Sequence, residues 1–580
     1  MAMPSPHPES PALFEQPGPI RGFLRSTLGK ILKWSLNRKL KRFLDSTDAP
    51  HPIQRGLLTR LIHKNRDTDF GRDHGFSDIR SLADFRKRIP VAGYERVEPY
   101  MARVRKGDIK ALLSDRRIHM FALTSGTTAT RKTIPVNDQY LDAYRAGWHN
   151  WGVKAYTDHP NASMRPILQF SGDWQEELTP SGVPCGAVTG LTARMQKRLV
   201  RGLYVLPADS GRIKDSASKY YLALRLGLPR AVSLIIAANP STMINLARAG
   251  NEAKEDLLRD LRDGTLNSRC KIPADIRASL APQLAKKHPE RVRQLESILA
   301  QTGTLYPKDY WPSHCILGNW TGGSMGAYLR QYPRYFGNMP IRDVGLIASE
   351  GRMTIPIEDN TPSGILDINS HFFEFVPNGE DPQTPGATFL EGHELLEGRE
   401  YRILLTTASG LYRYDIHDVV RCTGFLGKTP LLEFLNKGAY FSNLTGEKIS
   451  EHHVTRAMDR TLRDLGLESG IYSVAPCWDD NNPHYGLFVE ESNFGGAEQA
   501  AKVVCRMETL LAETNIEYAS KRDSGRLAPL ALKRVPNGFW ANWDRERLAK
   551  TRGVAEQYKH PCLITTVEFR DDLLKRGLIS

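Results

Sequence analysis

Leu24, Leu28, Leu32, Leu36, Leu40 and Leu44 recur at four-residue steps, a spacing that places them on one face of a helix. From 50 to 120 the pattern stays helical with polar breaks, as in HPIQRGLLTRLIHKN, SLADFRKRIPV and VEPYMARVRKG. Residues 119–136 read differently: apolar, then small and polar, then apolar, which predicts strand, loop, strand. A helical middle follows, with 215–227, 240–264 and 275–301 as its clearest segments. From 312 onward short apolar runs predict strands at HCILGNW, VGLIAS, GILDIN and FFEFVP. The polar stretch 378–400 reads as a loop, and 401–425 as two strands joined by a turn at Ser409-Gly410. After the break GFLGKTP (424–430), short strands and helices alternate: LLEFLN, a helix near 450–466, GIYSVAPCW, HYGLFVEE, a helix near 496–514, and PCLITTVEF.

The predicted fold class is α/β: a large N-terminal mixed α/β domain with a smaller, mobile C-terminal α+β domain. A chain of 580 residues exceeds what one core fills. The expected divisions are a proline-rich disordered tail at 1–20, a large domain at 21–425, a hinge at 426–437 and a small domain at 438–580.

Composition narrows the class. Apolar residues at 40% and charged residues at 25% suit a soluble globular protein. No apolar run approaches the ~18 residues of a membrane span. The first 20 residues lack the basic start and apolar core of a secretory signal. Seven scattered cysteines, none in a C-x-x-C pair, argue against a disulfide framework or a zinc site and for a reduced, cytoplasmic setting. The net charge of +14 is mostly dispersed, except that 16–44 is basic and contains no acid. That stretch has two readings: a helix with membrane contact through 21–44, or a helix packed on the body of the protein. No nucleic-acid motif is present, and only Trp34 and Phe43 interleave the basic run.

The sharpest chemical signal is FALTSGTTATRKTIPV (121–136). Thr124 to Ala129 are all small, and Thr124, Ser125, Thr127 and Thr128 carry hydroxyls. Such a loop can bring amides and hydroxyls to phosphate oxygens, with Gly126 free of a blocking Cβ and Arg131 and Lys132 adding charge. A threonine-rich turn between strands explains it equally well. GFLGKT (424–429) is not a P-loop, because Cys422 stands where the first glycine is required.

TSGTT followed by a basic residue resembles the first core motif of adenylate-forming enzymes. IASEGRM (347–353) resembles the second, LYRYDIHDVVRCTGF (411–425) the third, and LTGEKISEHHV (444–454) the stretch after the hinge. The phrases NRDTDFGRDHGF, FRKRIPVAGYERVEPYMARVRKG, YASKRDSGRLAPLALKRVPNGFW and QYKHP, in this order over roughly 50–570, are similar to the Gretchen Hagen auxin-responsive family of acyl-acid amido synthetases. The resemblance implies an adenylate-forming architecture and a ligase that uses ATP and Mg²⁺ to join a small carboxylic acid to an amine, typically an amino acid.

By that resemblance Thr124, Ser125, Gly126, Thr127, Thr128 and Lys132 hold phosphates, and Ser349 and Tyr412 contribute to the nucleotide site. Glu350 holds the metal, Asp418 accepts from the ribose hydroxyls, and Lys559, with Lys448, acts at the reacting carboxylate or α-phosphate. Two positions depart from the family pattern. His417 replaces the glycine before the aspartate, and Leu346 replaces an aromatic that stacks on adenine, a role open to Tyr412 or Tyr414. A coenzyme A ligase and a non-catalytic basic binding protein are the alternatives.

Overall fold

The computed structural model describes residues 37–123, 132–196, 198–437, 441–442, 444–445, 447, 449–478, 483–523, 527–551 and 558–579. The fold is mixed α/β, with a larger N-terminal part and a smaller C-terminal one.

Three sheets of four or more strands build most of the larger part. The strands Ile167–Gln169, Leu234–Ile236, Ile316–Asn319 and Ile341–Asp343 lie side by side in that order, all parallel. They are short and almost wholly buried, with apolar residues in succession rather than in alternation until the polar Gln169, Asn319, Arg342 and Asp343 near their C-terminal ends, because helices cover the sheet. Among those helices are Ser216–Gly227, Pro240–Glu252, Lys254–Asp263, Ala274–Leu284 and Pro289–Thr302. The single long helices expected at 240–264 and 275–301 are each broken in two. Ala253 carries non-helical backbone, and Pro289 opens a new helix where its missing N–H costs nothing.

The second sheet is antiparallel and six-stranded, in the order Thr354–Ile355, Gly364–Leu366, Thr429–Lys437, Tyr414–Leu426, Glu400–Thr406, Phe372–Pro377. The third joins Thr133–Val136, Met120–Leu123, Pro184–Gly186 and Glu177–Leu178. Met120–Leu123 and Thr133–Val136 pair antiparallel, as the strand–loop–strand reading requires, with Leu123 opposite Thr133.

Most of the segment expected as a hinge, 426–437, is regular structure: Thr429–Lys437 is a strand paired with Tyr414–Leu426, so LLEFLN, grouped by its pattern with the C-terminal elements, belongs to the large sheet. The Gly427-Lys428 turn closes that hairpin. Gly427 has φ +57, and a Cβ there would lie 2.4 Å from Asp48 Oδ1. Lys428 N–H and Thr429 Oγ1 both donate to the Thr47 carbonyl at 2.9 Å, so this glycine–lysine–threonine run is a docked turn.

The helix at 37–46 sits on the body. Leu40 and Phe43 are buried and Leu44 half-buried, in a cluster with Trp151 and Ile316, while Lys41 and Arg42 face solvent. Its described part therefore follows the packed-helix reading; residues 21–36 lie outside the described residues. Among the described residues no helix is long and apolar enough to cross a membrane.

The C-terminal part pairs Tyr472–Cys477 with His484–Glu490 antiparallel and the latter with Ala531–Val535 parallel. Glu451–Leu465 and Ala497–Thr514 cover this sheet. PCLITTVEF makes only a bridge between Val474 and Leu563 before the helix Glu568–Lys575. The two parts meet through Arg330 and Asp459, 2.5 Å apart, and through Arg421 Nη2 and His452 Nε2, 2.9 Å apart.

Candidate active site

Lys132 lies just before the strand Thr133–Val136, at the far end of the small-residue loop from Leu123. Its ammonium is 5.7 Å from the Tyr94 ring centre and 5.9 Å from that of Tyr414, and it donates to Tyr414 Oη at 3.4 Å. The Tyr414 hydroxyl donates in turn to Glu350 Oε1 at 3.3 Å. Lys132, Tyr414 and Glu350 are 282 and 64 residues apart along these two links, yet they form one chain of contacts. Tyr414 and Glu350 are buried, and burial, reinforced by the Glu350 charge, pushes the Tyr414 hydroxyl far above its usual pKa. Tyr414 thus accepts from Lys132 and donates to Glu350 through one hydroxyl.

Tyr94 is a residue that sequence reasoning missed. It accepts from Thr133 N–H at 3.1 Å and donates to the Thr133 carbonyl at 2.9 Å, which locks the strand beside Lys132. Burial pushes its hydroxyl up to about 12. Its place inside GYERVEPYM marked a family phrase, but nothing local signalled contact with residue 133.

Ser349 and Glu350 form the turn of a small ribbon in which Ile347–Ala348 pairs with Gly351–Arg352. Ser349 Oγ donates to the Leu123 carbonyl at 2.9 Å, and Tyr140 Oη donates to the Ser349 carbonyl at 3.0 Å. These bonds tie the second motif to the end of the strand that enters the small-residue loop. Behind the turn, Arg352 is buried with its guanidinium 4.5 Å from the Trp148 ring. Burial lowers its pKa to about 10. A Cβ on Gly351 would strike His371 Nε2 at 2.1 Å, so the turn needs glycine there.

The third motif places its residues unevenly. Asp418 is buried in the strand Tyr414–Leu426, near enough to Tyr414 to add to the upward push on its hydroxyl. Tyr412 does not reach the site. It is fully buried, stacks on Phe70 at 5.2 Å, and accepts from Asn65 Nδ2 at 2.9 Å. Arg413, between the two tyrosines, has φ +44, so the side-chain alternation of the strand begins only at Tyr414 and Tyr412 turns away into the core. Leu346 is half-buried against the same core.

His417 has φ +61, a left-handed backbone that favours glycine and explains the family preference at this position. Its N–H donates to Asp415 Oδ1 at 2.7 Å, and its ring reaches Asp415 Oδ2 at 3.2 Å while remaining 46% exposed. The imidazole therefore points along the chain toward Asp415.

Lys559 follows from the C-terminal part. Its Nζ lies 4.2 Å from the Trp320 ring centre and 5.1 Å from that of Phe434. Trp320 directly follows the strand Ile316–Asn319, so the ammonium stands over the C-terminal edge of the parallel sheet, where open α/β sheets bind ligands. Asp343, last in its strand, accepts from Thr321 N–H at 2.6 Å, Thr321 Oγ1 at 2.7 Å and Gly345 N–H at 2.6 Å. Burial raises its pKa, and the Lys559 charge is among the groups that oppose that rise.

Thr124, Ser125, Gly126, Thr127, Thr128, Arg131 and Lys448 lie outside the described residues. Beside Lys448, Glu447 is fully buried and accepts from Leu444 N–H at 2.6 Å and Thr445 N–H at 2.8 Å, holding its own turn. A cluster of possible metal ligands among the described residues is His51, Glu391 and His393. It shares no residue with these motifs, and Arg55 donates to both Glu391 oxygens at 2.7 and 2.9 Å. A metal ion working with phosphates fits Glu350 better. A hard cation needs one or two carboxylates plus phosphate oxygens, and Glu350 offers a carboxylate within one hydroxyl of Lys132.

Comparisons with known proteins agree with this layout. Models of the GH3 family match the chain in order: the N-terminal domain over 39–341, the central domain over 364–437 and the C-terminal domain over 452–568. The chain is 26% identical to a probable indole-3-acetic acid-amido synthetase GH3.12 of Oryza sativa subsp. japonica, across 92% of this chain and 94% of that one. It is 24% identical to jasmonoyl-L-amino acid synthetase JAR6 of Nicotiana attenuata, across 91% and 93%. The solved GH3.15 acyl acid amido synthetase superposes with a TM-score of 0.80 at 20% identity, over 93% of this chain and 96% of that one, and so has the same fold. With all three parts of the family pattern laid in order over the segments that carry Lys132, Asp418 and Lys559, the chain belongs to the GH3 family.

Proposed function

We propose that this protein is an ATP-dependent acyl-acid amido synthetase. The observation that carries the reading is the contact chain Lys132–Tyr414–Glu350, which joins three separate motifs at one place. The similar plant proteins named above are amido synthetases, which supports the same chemistry here.

In the first step a carboxylate oxygen of the acid attacks the α-phosphorus of ATP. The bond to the bridging oxygen breaks, and pyrophosphate leaves with the electron pair. Both reactants are anions, so positive charge and orientation carry most of the burden. Lys132 supplies charge at the phosphates. Tyr414 fixes Lys132 and Glu350 relative to each other. Glu350 would hold Mg²⁺, which when bound neutralises phosphate oxygens. Asp418 takes the ribose hydroxyls, and Ser125, Thr127 and Thr128 with the Gly126 amide cradle the phosphates. Lys559 neutralises charge at the reacting carboxylate and α-phosphate.

In the second step the nitrogen of an amino acid attacks the acyl carbon. The bond to AMP breaks, AMP leaves, and the nitrogen loses a proton to solvent. The residues after 437 change position relative to the large sheet between the two steps, which keeps water from the mixed anhydride. Lys448 is assigned the same charge-neutralising role by the family resemblance. The compartment is cytoplasmic, and the substrates are small molecules. Acid-dependent exchange of pyrophosphate into ATP tests the first step. Amide formation from an amino acid, without any thiol acceptor, tests the second.

A further inference from the structure

Asp544 lies on the helix Phe539–Thr551 and belongs to none of the motifs above. Its Oδ1 accepts from Tyr558 Oη at 2.8 Å and lies 2.8 Å from His560 Nδ1. These two residues flank Lys559 in sequence. One carboxylate oxygen thus holds the side chains on both sides of the lysine.

The rest of the segment is fixed as firmly. His560 is buried, and its Nε2 lies 2.9 Å from Ser473 Oγ. Ser473 Oγ donates to the Pro561 carbonyl at 2.7 Å. Trp540 lies edge-on to the His560 ring at 4.8 Å. From the large part, Asn239 Nδ2 donates to the Tyr558 carbonyl. Asn239 follows the strand Leu234–Ile236, so this bond fastens the segment to the same sheet edge on which Trp320 meets Lys559.

The order Ser473–His560–Asp544 resembles a hydrolytic triad, but the chemistry does not follow. Ser473 is fully buried, and its hydroxyl is already given to a carbonyl. No acyl carbon can approach its Oγ. The network holds a shape.

We propose that Asp544 is a positioning residue for Lys559: by gripping Tyr558 and His560 it sets the ammonium over the C-terminal edge of the parallel sheet. Tyr558 and His560 both turn to Asp544 while Lys559 between them turns to Trp320 and Phe434, so holding 558 and 560 sets the direction of 559. The catalytic consequence rests on the amido synthetase reading; the positional one does not.

Two readouts test it on the full-length protein. The first is acid-dependent ATP–pyrophosphate exchange in Asp544→Ala, Asp544→Asn, Tyr558→Phe, Lys559→Ala and the Asp544→Ala/Lys559→Ala double variant. Displacement of a reacting group by about 1 Å can cost ~100-fold, so Asp544→Ala should lose at least about tenfold in kcat with the KM for ATP little changed. Asparagine keeps an oxygen that accepts from both neighbours, so Asp544→Asn should stay within about threefold of wild type. If Asp544 acts only through Lys559, the double variant equals Lys559→Ala to within about twofold. The second readout is the rate at which acetic anhydride labels Lys559, read by mass spectrometry. It should change about threefold or more in Asp544→Ala and in Tyr558→Phe, since both loosen the segment. Should Asp544→Ala fail to fold, Tyr558→Phe removes one hydroxyl and decides alone.

Wild-type exchange and wild-type labelling in the variants would overturn the proposal. So would a further loss on adding Asp544→Ala to Lys559→Ala. Absence of exchange in the wild type would instead refute the ligase reading, and the labelling would still judge the position of Lys559.

Discussion

Replacing Tyr414 with phenylalanine removes one buried hydroxyl that touches both Lys132 and Glu350. The ring and its packing remain, so little apolar burial is lost. At 3.4 and 3.3 Å both hydrogen bonds are long, which puts each at the weak end of the ~1.5–3 kcal/mol for bonds to charged groups. Since the two share one hydroxyl, a combined loss of about 2 kcal/mol is expected, or roughly 30-fold in exchange rate if it is felt in the transition state. The assay is acid-dependent ATP–pyrophosphate exchange at saturating ATP, with thermal unfolding alongside. Loss of about 1 kcal/mol of stability shifts Tm by no more than ~2–4 °C in a chain of this size. An exchange rate within twofold of wild type, where Glu350→Gln is inactive, would refute the idea that this hydroxyl joins the motifs. A large Tm drop with unchanged activity per folded molecule would make Tyr414 a core residue like Tyr412.

Three further outcomes follow from other parts of the site. Glu350→Gln should lower exchange by about 100-fold or more and raise the Mg²⁺ concentration needed for half-maximal rate, because one ligand loses its charge; an unchanged Mg²⁺ dependence would remove Glu350 from the metal. His417→Gly should leave stability equal or higher by up to ~1 kcal/mol in thermal unfolding, since it relieves a left-handed backbone and keeps the N–H bond to Asp415, whereas His417→Val should destabilise by about 1 kcal/mol or more. Burial lowers the His371 pKa to about 4, so its contribution is present above the ordinary value near 6.5 and is lost as pH falls from there to about 4. Burial raises Asp367 to about 6, so its contribution is present below the ordinary value near 3.8 and is lost as pH rises to about 6. The two oppose each other across this window. His371→Gln should therefore be less acid-sensitive than wild type by about 3 kcal/mol between pH 7 and 4, measured by denaturant unfolding; parallel pH profiles would contradict the assignment.

Periodicity made much of this fold legible. The strand–loop–strand around the small-residue run, the helices Ser216–Gly227, Glu451–Leu465 and Ala497–Thr514, and the strand Phe372–Pro377 all stand where their apolar spacing points. The hairpin Tyr414–Lys437 was not legible as such. Its glycines and proline read as a break, whereas Gly427 supplies a positive φ for a tight turn and Pro430 sits in a strand just past it. Motif order brought Lys132, Glu350, Asp418 and Lys559 into view. Which tyrosine faces the site was beyond the sequence, because the positive φ of Arg413 breaks an apparently strand-like pattern and turns Tyr412 onto Phe70, Phe76 and Asn65, which no local signal announces. Tyr94 and Asp544 were invisible for a similar reason: their partners are 39 and 14 or 16 residues away and follow no period.

Acid-dependent ATP–pyrophosphate exchange, with a panel of indole, benzoate, jasmonate-like and fatty acids, tests the central claim most directly. Exchange with at least one acid is expected, with its loss in Asp418→Ala and amide formation when an amino acid is then added. A folded protein that binds ATP but exchanges pyrophosphate with no acid, or that yields a thioester with coenzyme A and no amide, would contradict it.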